Sequence, residues 1–153
     1  MTKSKLINTA KQLNQVENFV YDEFRSNYEL LLSKINDKML NRKDLHSLIG
    51  SENVDMMKDN HANHLRFMAS VFNSYNPEVL VDTVLWVFRA YQSHGFSSNY
   101  WAAQLYTWIL ILKDALSKDA FSQVYPYYEW MQVNIPLFTD ISQTQIDLQK
   151  SKH

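Results

Sequence analysis

Cysteine is missing from this chain altogether. That excludes disulfides, thiolate metal sites and cysteine nucleophiles, and it suits an intracellular protein. Glycine and proline are nearly as scarce: two and three among 153 residues are too few for a fold built on tight β-turns. The long periodic segments between them predict an all-α fold. Charge of one sign is lacking too. With a net charge of −1 and acids and bases interspersed, no electrostatic footprint for nucleic acid or an acidic membrane is present, and the Arg42-Lys43 pair is too small to supply one. The most apolar run, Trp101 to Leu112, includes Gln104 and Thr107 and falls short of the ~20 residues that span a bilayer. Met1 to Lys11 is basic but has no apolar run of the kind a signal peptide needs. The expected location is cytoplasmic, without membrane or nucleic-acid partners.

Catalytic signatures are also absent. The chain holds no Gly-x-Ser-x-Gly elbow, no glycine-rich phosphate loop and no His-Glu-x-x-His, so a non-enzymatic protein is expected. Its length suits a single domain with a core that needs no metal or disulfide.

What the chain has in quantity is helix signals. Asn76-Pro77 is an N-cap followed by proline at the first helical position, where a missing N–H costs nothing. The apolar residues from Val79 to Tyr91 then predict a centrally buried helix. Gly95 supplies a left-handed stop, Ser97 or Ser98 caps the next helix, which runs to about Leu116, and Ser117 caps a further one to about Val133. Pro126 lies inside that last pattern and predicts a kink or boundary, and Pro136 a break before a short helix over 137–150.

Upstream, Leu6, Ala10, Leu13, Val20 and Phe24 recur at helical steps and predict one amphipathic helix, either an ordinary peripheral one, a docked arm or a dimerisation helix. Asn36-Asp37 offers a break, and Gly50 a helix end. The expected plan is one domain over 1–153: N-terminal helices in 1–50, a central core in 51–134 and the short final helix, six or seven helices in all. A globin-like fold and a general helical bundle are the two architectures in view.

The segment from Ser51, read as a cap, to about Ser74 carries the candidate chemistry. On a helix, Val54, Met57, His61, Leu65, Met68 and Phe72 share one face, with His64 at its edge. Two histidines on a core-facing stripe have three readings. They are core-edge residues satisfied by neighbours. Alternatively, they serve as axial ligands to haem or another tetrapyrrole, with Met57, Met68, Trp86 and Phe88 as walls. As a metal pair they lack the Glu-x-x-His repeats and inward carboxylates of di-metal bundles. Asp82, should it face either histidine, would form a charge-assisted hydrogen bond.

Aromatic residues are abundant, with four tryptophans and nine tyrosines. They suit a core, while the cluster Tyr125-Pro126-Tyr127-Tyr128-Glu129-Trp130 also suggests a partner surface at Tyr125, Tyr128 and Trp130, for another protein or a second copy.

The helices opening at Ser51, Pro77, Ser98 and Ser117 resemble the E, F, G and H helices of a globin in length and sequence. The F-like helix has Trp86 to Arg89 where a haem globin places its proximal histidine, and no histidine until His94. A haem-free globin-like sensor is implied rather than an oxygen carrier. The segments His64-Leu65-Arg66-Phe67-Met68-Ala69-Ser70-Val71-Phe72 and Pro77-Glu78-Val79-Leu80-Val81-Asp82-Thr83-Val84-Leu85-Trp86, followed by Gly95, resemble the helical module that precedes cobalamin-binding domains in bacterial regulatory and photosensory proteins. The resemblance covers roughly residues 60–135 and implies an intracellular regulatory module acting by protein contact. The Asp-x-His-x-x-Gly loop that ligates cobalamin in the accompanying domain does not occur, and the capping pattern of the photoreceptors is not reproduced after Trp86, so vitamin binding is not expected of these residues.

Overall fold

Both glycines sit where the backbone must turn left-handed: Gly50 has φ 82° and Gly95 has φ 96°. In the computed structural model, which describes residues 2–151, they end two of nine helices, and no strand occurs among the described residues. The helices are α1 (Thr2–Ala10), α2 (Asn18–Ser26), α3 (Tyr28–Leu40), α4 (Leu45–Ile49), α5 (Val54–Asn73), α6 (Pro77–Ser93), α7 (Ser98–Ala115), α8 (Lys118–Val133) and α9 (Ile135–Ser151).

The caps explain the boundaries of the central helices. The Asn76 side chain accepts from the Glu78 and Val79 amides, Ser97 from Asn99, and Ser117 from Ala120. After α6 the Phe96 amide donates to the Tyr91 carbonyl and the Gly95 amide to Gln92, the paired bonds of a Schellman stop. That stop is fastened to the end of α4. Asn53 Nδ2 donates to the carbonyls of Ile49 (2.7 Å) and His94 (3.1 Å), and the Ser97 amide donates to Leu48 (2.8 Å).

Several expectations are corrected. The helix expected to run unbroken from Leu6 to Phe24 is interrupted over 11–17, where Gln15 instead bonds the Phe72 carbonyl and the Tyr75 amide. Asn36 does not break α3. Ser51 lies in a turn and α5 begins after Asn53, which makes no side-chain cap. α8 continues through Pro126, and Pro136 occupies the first turn of α9, where proline is tolerated, so the final helix is a full 17 residues. The interruption over 11–17 and a further break at Asn27, with Leu45–Ile49 standing apart as a short helix, give nine helices among the described residues rather than six or seven.

The most deeply buried helix is α7, not α6. Tyr100, Trp101, Leu105, Trp108, Ile111 and Leu112 are all in the core, and α7 packs against α3, α4, α8 and α9. α6 lies along α9 and α1 and leaves Val79 and Trp86 more than half exposed. α1 is docked, with Leu6 and Ala10 fully buried, the Trp130 indole donating to Thr9 Oγ1 and the Tyr75 hydroxyl to the Ala10 carbonyl. No helix among the described residues is long and apolar enough to cross a membrane.

A Cβ at Gly95 would meet nothing within 4 Å, so replacing it tests the backbone conformation alone. Gly95→Ala is expected to lower stability by about 1 kcal/mol, from the left-handed φ. Urea unfolding followed by circular dichroism checks this, and an unchanged midpoint would contradict it.

Candidate functional site

α5 directly precedes α6 in the chain, yet the two do not pack along one another. The space between them is a pocket of about 190 Å³. α5 contributes Asn60, Asn63, His64 and Phe67, and α6 contributes Thr83, Val84, Trp86, Val87, Phe88 and Tyr91. Trp101, Gln104 and Leu105 of α7 and Met131 of α8 complete it. Phe88 is held by stacking on Trp101, with ring centroids 4.4 Å apart. Trp86, 57% exposed, is the one aromatic wall that also faces solvent broadly.

The polar side chains gather on α5 and α7. Tyr100 donates its hydroxyl to Asn60 Oδ1 at 2.8 Å, and Gln104 Nε2 donates to Asn60 Oδ1 (2.6 Å) and to the Tyr100 oxygen (2.9 Å). His61 lies behind them. Its Nδ1 is 2.7 Å from Asn36 Oδ1 on α3, and its Nε2 makes only a long 3.4 Å contact to the Tyr100 hydroxyl. His64 is half-buried along the pocket wall, its Nε2 2.7 Å from the Tyr128 hydroxyl and its ring stacked on Trp108 at 4.9 Å.

Burial sets the charge state of this region. It pushes His61 down to about 3, and burial together with the nearby His61 does the same to His64, so both are neutral at pH 7. It also pushes the Tyr100 and Tyr128 hydroxyls well above their usual range, which keeps them as donors. Two further hollows, beside Gln15 and beside Arg66, hold no buried polar side chain other than Tyr127, whose hydroxyl already donates to the Asn14 carbonyl.

No family model, curated protein or solved structure matches this chain.

The site therefore rests on geometry. Among the residues singled out in the sequence, His64, Trp86 and Phe88 are brought together on the pocket. His61, Met57 and Met68 are fully buried and form no part of its wall. Asp82 faces neither histidine but pairs with Lys3 at 2.7 Å on the surface. Tyr128 is fully buried and Trp130 is 6% exposed, so neither offers a partner surface; Tyr125 is half-buried against Phe121. Among the described residues, no three His, Asp or Glu side chains are grouped to hold a metal.

The residues present do not fit a haem group. Sites for drug-sized ligands run to roughly 300–1,000 Å³, and a porphyrin needs no less. His64 commits Nε2 to Tyr128, and α6 brings no histidine opposite it.

Sequence reasoning missed Asn60 and Gln104. Asn60 lies three residues after Met57 and four before His64, inside the buried stripe; Gln104 lies midway between Tyr100 and Trp108 at four-residue steps. A polar residue at a core position of a helical pattern was the signal available in both cases.

The neutral histidines make stability depend on pH. In the unfolded chain they take up protons near 6.5, whereas in the folded state they do so only near 3. Stability is therefore whole above about pH 7 and falls as pH drops from 6 towards 3, by up to ~1.4 kcal/mol per pH unit for each histidine. His61 dominates, because it is fully buried whereas His64 is partly exposed. Urea midpoints measured from pH 8 to pH 4 are expected to fall below 6, with a shallower fall in His61→Gln; equal profiles would contradict the assignment.

Proposed function

We propose that this chain is a non-enzymatic, cytoplasmic sensory or regulatory domain. It takes a small ring-bearing molecule into the gap between α5 and α6 and conveys occupancy to a protein partner or a second copy of itself. One observation carries the reading: Trp86 is a wall of the pocket and also more than half exposed on the outer side of α6. A ligand that moves this indole changes the surface a partner meets.

The size of the pocket supports a small ligand. An apolar cavity of about 150 Å³ is enough to bind benzene, and the gap here has about 190 Å³ with an apolar lining and a few polar groups, the usual make-up of a ligand site. The order of α5 to α8, with the pocket between α5 and α6, is compatible with a globin-like arrangement. The resemblance over residues 60–135 to the regulatory module that precedes cobalamin-binding domains adds to the sensory half of the reading.

Val87 lines the gap and is half-buried, so Val87→Trp would fill a void rather than a packed core and cost little stability. Saturation-transfer NMR with toluene as the probe is expected to give a signal with the native protein and none with Val87→Trp. No transfer to the native protein, or equal transfer to both, would sink the reading. Hemin is expected to give no Soret band that shifts on His64→Ala; such a shift would replace this reading with a tetrapyrrole carrier.

A further inference from the structure

Within the Asn60–Gln104 pair, at the α5–α7 side of the pocket, two hydrogen-bonding atoms are not used up. Asn60 Oδ1 accepts from both Tyr100 and Gln104, which occupies its lone pairs, and Gln104 Nε2 donates to both Asn60 and Tyr100, which occupies its hydrogens. At least one hydrogen of Asn60 Nδ2, and Gln104 Oε1, are left without a hydrogen-bond partner among the described residues, and neither atom is sealed from solvent-sized space. Both residues are almost wholly buried, Asn60 at 4% exposure and Gln104 at 2%, and both line the pocket. Any partner for these two atoms must therefore come from within it.

The arrangement does not depend on which way the amides point. Turning both over lets Asn60 Nδ2 donate to Gln104 Oε1 and to Tyr100, and leaves Asn60 Oδ1 and Gln104 Nε2 unused. The pair keeps one unused donor and one unused acceptor in either case. The Tyr91 hydroxyl lies alongside, pulled down by hydrogen bonding from the Asn60 and Asn63 amides against the larger upward push of burial.

A donor beside an acceptor is complementary to an amide. A carboxylate would set one oxygen against Gln104 Oε1, and no Lys or Arg lines the gap to balance its charge. A hydrocarbon would leave both amides unpaired, which is costly in a buried site.

Resting on the ligand-binding reading above, we infer that this pocket selects small ring compounds bearing an amide or cyclic amide. The ligand carbonyl accepts from Asn60 Nδ2, its N–H donates to Gln104 Oε1, and its ring lies among Phe67, Val84, Val87, Phe88 and Leu105.

The test is a ligand-observed NMR titration of the native protein with four probes: benzamide, acetophenone, benzoate and toluene. Acetophenone keeps the shape and carbonyl of benzamide but lacks the N–H. Benzamide is expected to bind about tenfold or more tightly than acetophenone, since one matched hydrogen bond is worth that order, and benzoate to bind weakest. Gln104→Met is expected to bring benzamide down to acetophenone, and the native series decides the question even where that variant fails to fold. Equal binding of benzamide, acetophenone and toluene would overturn the amide inference while leaving the pocket as a ligand site. Binding of none would overturn both, and preference for benzoate would overturn the inference in favour of an acid.

Discussion

Three helices are tied at one level by side-chain hydrogen bonds that run from Asn36 on α3 through His61 and Asn60 on α5 to Tyr100 and Gln104 on α7. In a packed interior every such atom left without a partner is costly, so the set favours this register of α5 against its neighbours. Sliding α5 by a turn would carry Asn60 and His61 away from Tyr100 and Asn36 together. The position of α5 is set by its packing on α2 and α3 and by these bonds to α7, and α6 packs instead along α9 and α1. The gap between α5 and α6 follows from two helices being held by different neighbours.

The helix ends hold α6 in that place. Its start is capped by Asn76 and its end is stopped at Gly95, and the stop is bonded to the end of α4 through Asn53 and Ser97. The Lys3–Asp82 pair on its outer side is more than half exposed at both partners and adds little. The core beneath comes from aromatic packing, with Phe88 stacked on Trp101, and Phe138 edge-on to Phe88. Rings in such contacts resist rotation, which keeps the inner wall of the gap formed.

Much of this was legible in the sequence where chemistry is local. An Asn-Pro start, a serine cap or a left-handed glycine acts within a few residues, and Asn76, Ser97, Gly95 and Ser117 all behave as read. Boundaries decided by distant partners were not legible. Asn36-Asp37 looks like a break, but Asn36 bonds His61 across the core; Leu6 to Phe24 looks continuous, but Gln15 holds the chain open at the end of α5. The site was half visible. Periodicity placed His64, Trp86 and Phe88 near one another, yet it assigned Met57, Met68 and His61 to a wall they do not form. It passed over Asn60 and Gln104 because polarity at a core position gains meaning only once its partner on another helix is known. The density of Tyr and Trp from Tyr125 to Trp130 suggests a surface, but the tertiary fold buries Tyr128 and Trp130.

The central claim is that the gap between α5 and α6 is a formed site with an unpaired donor and acceptor on its α5–α7 side. A crystal structure of the protein grown with 4-bromobenzamide tests it most directly, because bromine is located by anomalous scattering independently of the fitted ring. A bromine peak is expected in the gap, with the amide against Asn60 and Gln104 and the hydrogen bonds among Asn60, Tyr100 and Gln104 intact. A structure in which α6 has closed onto α5, with no bromine between them, would contradict it.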